Sequence, residues 1–282
     1  EHSSCPLKWL LCVGVGPDAL SLQIIDNVAR DFESSQRWTE SSRTMKLMQT
    51  VDGNYEWEVT MPRVLSEEAI AQYRREGYYF PVSILDAGEV AACRQNLEAF
   101  ESSQGHPMQG APRSKSHLLF TWIDDLMRRD QILDAVEDVI GPDILCWNTF
   151  FWIKEAHTDT FVSWHQDLRY WGLDRGDMVT VWLALSPATA ETGCMRVLPG
   201  SHVGDLLPHS DEYQKHNMLT RGQEISVEVD ESKAVAMPLQ PGEISLHNVR
   251  LAHASGANLS DDRRIGLSLI HISEPTRRTP IS

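Results

Sequence analysis

From residue 61 onward the apolar positions follow two different periods, and the change near residue 144 divides the chain more clearly than any linker. Before it, apolar side chains recur at helical spacing. Ser66 followed by Glu67 and Glu68 reads as an N-cap with acids at the positive end of the helix dipole, and Gly77 as the stop. Asp86 with Glu89 forms a capping box, after which Val90, Cys93, Leu97 and Phe100 mark one buried stripe. Two further helices are predicted over 117–129 and 130–140, the second with Ile132, Leu133, Val136, Val139 and Ile140 inward and Gly141-Pro142 as its stop. Residues 78–85 predict a strand interrupted by Pro81, which suits a sheet edge. The polar segment 102–116, with Gly105, Pro107, Gly110 and Pro112, reads as a connector long enough to form a lid.

Past residue 144 the pattern becomes short Val-, Trp-, Phe- and Leu-rich runs separated by Gly, Pro, Asp and Asn, as in an antiparallel sandwich or barrel. Strands are predicted at 144–154, 161–166, 178–186, 195–198, 223–229, 234–239, 243–247, 251–255 and 265–270. The expected architecture is mainly β, a double-sheet barrel with a helical N-terminal layer.

Composition narrows the partners. The chain has 282 residues, 41% of them hydrophobic, enough for one large domain with a real core. A net charge of −15, with 25 Lys+Arg against 40 Asp+Glu and no basic cluster, argues against a nucleic-acid partner and disfavours anionic membrane surfaces. No apolar run approaches the roughly 20 residues that span a bilayer. Cys5, Cys12, Cys93, Cys146 and Cys194 are scattered and form no Cys-x-x-Cys pair, so a reducing cytoplasm is expected. Trp9 to Val15 lacks the basic flank and cleavage pattern of a signal peptide. Gly14-Val15-Gly16 lacks the third glycine and preceding strand of a dinucleotide loop. Residues 1–60 mix Ser-, Gln- and Thr-rich stretches and are read as an extension, upstream read-through or a dispensable segment, with Met61 as the natural start.

The chemistry centres on Trp164-His165-Gln166-Asp167, answered far downstream by His253 and then Arg264. On a strand, residues i and i+2 share a face, so His165 and Asp167 would project together while Gln166 points away. If His253 enters from a facing strand, two imidazoles and a carboxylate form the ligand set of non-haem Fe(II) oxygenases, with positions open for a bidentate 2-oxo acid and O2. His-x-Asp alone is a weak signal; Arg264 strengthens it. An arginine opening an apolar strand beside a metal needs an anionic partner, which the distal carboxylate of a dicarboxylate co-substrate supplies. Two other readings use the same residues: a β-barrel that binds metal or a small molecule without turnover, and a zinc hydrolase. Both leave Arg264 without a task, and the second lacks a general base near Asp167.

Trp164-His165-Gln166-Asp167, the turn Leu198-Pro199-Gly200-Ser201-His202, the strand Pro241-Gly242-Glu243-Ile244-Ser245-Leu246-His247 and His253-Ala254-Ser255-Gly256-Ala257-Asn258 with Arg264 together closely resemble the phytanoyl-CoA dioxygenase family, in particular its bacterial members. The resemblance covers 61–266, the expected oxygenase domain. It implies a double-stranded β-helix, a jelly-roll or cupin-like fold flanked by α-helices. It also implies Fe(II), 2-oxoglutarate and O2, with hydroxylation of a small-molecule substrate and release of succinate and CO2. Position by position, His165, Asp167 and His253 match the family's iron ligands and catalytic centre. Arg264 and Ser255 match the residues that hold 2-oxoglutarate, and Trp182, Phe150 and His117 fall where the family lines that pocket. Relatives that halogenate carry a small residue where Asp167 stands, so the resemblance implies hydroxylation.

Of the remaining histidines, His247 is read as structural or as supporting the metal residues, His202 as structural, and His157, His209 and His216 as solvated loop residues. Among the tryptophans, Trp171 is the one placed to face substrate. Residues 267–277 resemble the translation of a transposon-end adaptor used in sequencing libraries, so 267–282 is read as a doubtful tail in which His271 has no evolved role. Its alternation Ile265-Leu267-Leu269 still satisfies a strand.

Overall fold

The strands predicted past residue 144 pair into two antiparallel sheets. The structure, a computed structural model, describes residues 44–49, 55–60, 64–171, 173, 177–219 and 223–273. The apolar run at Trp9, Gly14-Val15-Gly16, Met61 and residues 274–282 lie outside them. By contacts the chain divides into two compact units, Glu1–Glu67 and Glu68–Ser282.

The first unit holds an antiparallel hairpin, β1 (Thr44–Gln49) and β2 (Tyr55–Thr60), in register from Thr44↔Thr60 to Gln49↔Tyr55. It was not expected. Tyr55, Trp57 and Val59 do alternate with Glu56, Glu58 and Thr60, a strand period obscured by the polar sequence around it.

In the second unit the larger sheet has five strands. In spatial order they are β3 (Tyr78–Ser83), β11 (Glu243–Asn248), β6 (Met178–Ala184), β13 (Arg264–Ser273) and β4 (Ile144–Lys154). Pro81 lies on β3, at an edge as expected. The smaller sheet runs β10 (Val235–Met237), β7 (Met195–Val197), β12 (His253–Ser255), β5 (Val162–His165). A ribbon of β8 (His209–Ser210) and β9 (Glu224–Ile225) forms a separate small sheet packed against β5; β8 was not predicted. This is the jelly-roll expected.

The helices are α1 (Glu67–Glu76), α2 (Ala87–Gln104), α3 (Thr121–Met127), α4 (Asp130–Ile140) and α5 (Leu168–Trp171). Asp86 and Glu89 form the predicted capping box at the start of α2. The helix expected over 117–129 is instead split. Ser114 bridges Phe150, the Lys115 N–H donates to Thr149 O at 2.8 Å, and Phe120 turns extended before α3 begins. Hydrogen bonds to the edge of β4 therefore outcompete a longer helix.

Register separates the two faces of the five-stranded sheet. Leu183, Leu267 and Phe151 form one cross-strand row, with Val181, Leu269, Ile244 and Leu246 on the same face, all fully buried. Against this face lies α4, which packs on β4, β6 and β13 and buries Ile132, Ala135 and Val136 completely. Ile132 and Val136 each contribute roughly 1.5–3 kcal/mol. The next row in register reads Ser245, Trp182, Ser268 and Phe150, and Arg264 pairs with Lys154. Polar and aromatic groups thus occupy the face turned from the helices. Among the described residues no helix is long and apolar enough to cross a membrane.

The segment read as a doubtful tail supplies the fourth strand of this order, β13, as far as Ser273. It carries a local conflict. His271 is fully buried, and neither ring nitrogen has a well-formed hydrogen bond. Burial pushes its imidazole down to about 4, the Leu269 carbonyl opposing only weakly. Removing the unsatisfied ring by His271→Leu is expected to stabilise the fold by about 1 kcal/mol. The unfolded imidazole titrates near 6.5, so this histidine's contribution to stability falls as pH drops from about 6.5 toward 4, and the variant lacks that part of the slope. Urea denaturation at pH 7 and pH 5 measures both effects.

Candidate metal centre and co-substrate pocket

Strand β5 ends at His165, and the chain turns through Gln166 and Asp167 into α5. Asp167 is therefore not on the strand, contrary to the expectation from alternation. The turn nonetheless returns its carboxylate to the same place, with Oδ1 3.4 Å from His165 Nε2. On β12, His253 is the register partner of His165, their ring centroids 4.1 Å apart, and its Nε2 lies 3.9 Å from the same Oδ1. One ligand atom from each of the three side chains falls within 4.8 Å of the others. Among the described residues this is the only His/Cys/Asp/Glu trio so placed.

Backbone carbonyls set the protonation of both rings. His165 Nδ1 donates to Ser163 O at 2.9 Å, and His253 Nδ1 donates to Leu251 O at 2.9 Å. A carbonyl only accepts, so each Nδ1 carries the proton and each Nε2 presents a bare lone pair toward Asp167. Burial, with His165 adding to it, pushes His253 down to about 3. Burial would raise the Asp167 carboxyl, but the imidazoles of His165, His253 and His247, in their protonated forms, outweigh it and hold it down to about 2, so at neutral pH it is ionised. Neutral imidazoles and an ionised carboxylate are the forms that bind a divalent cation, so the donor set fits the iron site implied by the sequence.

A second tier faces the outer carboxylate oxygen. Thr180 Oγ1 donates to Asp167 Oδ2 at 3.3 Å, and the buried His247 brings its Nε2 within 3.9 Å of that atom. His247 thus stands beside the carboxylate of the candidate metal trio. Gln166 points away, as predicted, and binds two loops: its Oε1 accepts from Leu207 N at 2.8 Å, while its Nε2 donates to Ser201 O of the same loop and to Arg250 O of the other. His209, expected to be solvated, is half-buried; its Nε2 accepts from Gln166 N at 3.1 Å. No sequence pattern marked it, because the ribbon that carries it was not legible.

Arg264, Ser255, Trp182 and the three metal residues line one cavity. Arg264 is 2% exposed and donates through Nη1 to Gly193 O at 3.1 Å, while its Nε has no partner. Its guanidinium lies 5.3 Å over the Trp182 ring. Burial pushes it down to about 10, still charged at neutral pH. A buried cation with an orphaned N–H and no carboxylate partner among the described residues is what a carboxylate ligand would complete.

Phe150 stands behind this wall, its ring 4.8 Å from Trp152 and under the guanidinium of Arg113. His117 is not brought to Arg264. Its Nδ1 lies 3.0 Å from Thr149 Oγ1, and Thr149 leaves β4 on the face opposite Phe150. Trp171 stacks on Trp147 at 5.0 Å, on the turn that carries Asp167. Two charged residues near the pocket were missed, Lys154 and Arg113, since a lone cation at a strand end or in a loop reads as solvated.

Gly266 leaves the room in which the Trp182 indole sits beneath Arg264. A Cβ at this position would stand 2.0 Å from the indole, with no backbone strain involved. Gly266→Ala is therefore expected to tilt Trp182, free Arg264 and weaken 2-oxoglutarate binding by about tenfold, the loss of one cation–π contact of this kind together with some misplacement. Isothermal titration checks it; unchanged affinity would show that the indole does not set the arginine.

Comparison with known proteins agrees with this geometry. The family model described as phytanoyl-CoA dioxygenase (PhyH) matches residues 59–266. A probable alpha-ketoglutarate-dependent hypophosphite dioxygenase of Stutzerimonas stutzeri is 27% identical over 213 residues, 68% of this chain and 73% of that protein. Human peroxisomal phytanoyl-CoA dioxygenase is 31% identical over 147 residues, 49% of this chain and 42% of that enzyme. Among solved structures, the non-haem monooxygenase ThoJ in its apo form superposes with a TM-score of 0.62 at 34% identity, covering 73% of this chain and 77% of that one. The match extends through both sheets to the strand that bears Arg264, so the chain belongs to the phytanoyl-CoA dioxygenase family and is a 2-oxoglutarate-dependent non-haem iron dioxygenase.

Proposed function

We propose that the protein hydroxylates an unactivated carbon of a small organic substrate while 2-oxoglutarate is converted to succinate and CO2. One atom of O2 enters the substrate and the other enters succinate, so the two-electron oxidation of each partner balances without a further reductant. Asp167 carries the reading: its carboxylate completes the three-residue set that favours hydroxylation over halide transfer. His165, Asp167 and His253 would hold the iron, and Arg264 with Ser255 the distal carboxylate of 2-oxoglutarate.

Iron bound there supplies O2 activation driven by loss of CO2 from the co-substrate. The chain's own part is placement. Ser163 and Leu251 carbonyls fix both imidazoles, Thr180 and His247 steady the carboxylate, and Trp182 with Gly193 aims the guanidinium. The three metal residues are largely buried, so bulk water has limited access to the reacting centre. Segments 102–116 and 204–222 are proposed to choose the substrate.

Anaerobic addition of Fe(II) and then 2-oxoglutarate is expected to give a metal-to-ligand charge-transfer band that decays on admission of O2 with formation of succinate. No band, or a band with no O2-dependent succinate, would sink the proposal.

A further inference from the structure

We propose that Lys154 is a positioning residue of the co-substrate clamp: by donating to Ser255 Oγ it directs the serine hydroxyl proton away from itself and toward the distal carboxylate beside Arg264. This rests on the proposed function above. Lys154 is fully buried at the end of β4, in direct register with Arg264. Its Nζ donates to Ser255 Oγ at 2.7 Å and to Gly256 O. Neither Lys154 nor Arg264 has a carboxylate partner among the described residues, so two basic side chains lie in register with no internal anion, one lining the cavity and the other bonded to Ser255, which also lines it.

The hydrogen-bond bookkeeping at Ser255 decides the direction. A serine hydroxyl has one proton and two lone pairs. With a lone pair taken by an N–H of the lysine ammonium, which has no lone pair of its own, the O–H cannot point at Nζ, since that proton would face another donor. It must turn to the remaining side, where Ser255 and Arg264 line the same cavity. A side chain oriented before the ligand arrives loses less freedom on binding. Burial, reinforced by the charge of Arg264, pushes the Lys154 amine down to about 6. The ammonium is the form that orients the serine, and a carboxylate bound beside Arg264 favours it by adding a negative charge nearby.

The test compares two oxo acids of equal length. 2-Oxoglutarate has the distal carboxylate and 2-oxopentanoate lacks it. Each is titrated anaerobically into Fe(II)-loaded full chain, with the charge-transfer band as the binding signal. Lys154→Met, which keeps the apolar stem and removes the donor, is expected to raise the Kd for 2-oxoglutarate roughly 10–100-fold, the range for a hydrogen bond to a charged group. The Kd for 2-oxopentanoate should stay within about twofold. Lys154→Gln retains an N–H donor and should recover most of the selectivity. Ser255→Ala should reproduce the loss, and it keeps the proposal testable if Lys154→Met does not fold. Equal loss of both acids, unchanged selectivity in Lys154→Met, full additivity with Ser255→Ala, or an undiminished acid preference in Ser255→Ala would each overturn the role of Lys154. A wild-type protein that gives no band with 2-oxoglutarate instead overturns the functional reading beneath it.

Discussion

Asp167→Ala is expected to abolish O2-dependent succinate formation and to weaken Fe(II) binding by more than the roughly 10–100-fold typical of losing an outer partner of a ligand. The reason is visible in the charge. Asp167 is the only anion in the trio, and its Oδ1 is the atom to which both histidine Nε2 atoms turn. Without it two imidazoles remain 4.1 Å apart in a buried pocket with nothing to offset a dication. Asp167→Asn tests charge apart from shape, since its amide oxygen is a weaker donor; it should fall between wild type and alanine in metal affinity and near alanine in turnover. Fe(II) titration under anaerobic conditions, paired with a succinate assay, reads both. Turnover surviving in Asp167→Ala would mean that the carboxylate is not a ligand.

The second large effect is at Arg264, where binding and stability should move in opposite directions. Arg264→Leu is expected to cost about 3 kcal/mol or more of 2-oxoglutarate affinity, beyond about 100-fold, the size of a broken buried ion pair. The same change removes a buried guanidinium whose Nε has no partner, so the protein without co-substrate should become more stable, with a higher Tm. Arg264→Lys keeps charge but loses the planar fork over Trp182, and should bind 2-oxoglutarate only slightly better than leucine. Thermal melts with and without 2-oxoglutarate settle the point. An arginine with a merely structural role would give a lower Tm in Arg264→Leu, which would count against the clamp.

The residues that announce themselves in the sequence are those whose chemistry needs a particular side chain at a local spacing. His165 and Asp167 stand two residues apart at the end of one strand and its turn, β4 forms over its full predicted length, and the capping box at Asp86 and Glu89 forms as written. His253 was legible through its neighbours Ser255 and Arg264. What was hidden depends on contacts between distant segments. Lys154 looks like a solvated strand end until Ser255 is placed against it, and His209 looks like a loop residue until Gln166 N–H reaches it. His117 shows the converse: its position matched the pocket, but Thr149 holds the ring on the other face of β4. The break before α3 has the same origin, since hydrogen bonds to β4 are invisible to a helical pattern.

Gln166 gives the site a property that matters for redesign. Its side chain holds the loops at Ser201, Leu207 and Arg250, and its backbone N–H engages His209, while it sits between two metal residues. A loop graft intended to change substrate preference around residues 201–209 would therefore also shift the frame that spaces His165 from Asp167. Successful grafts will be those that carry over the acceptors and donors for this one amide, so the iron affinity of a chimera is a quick screen for whether its new loop has seated.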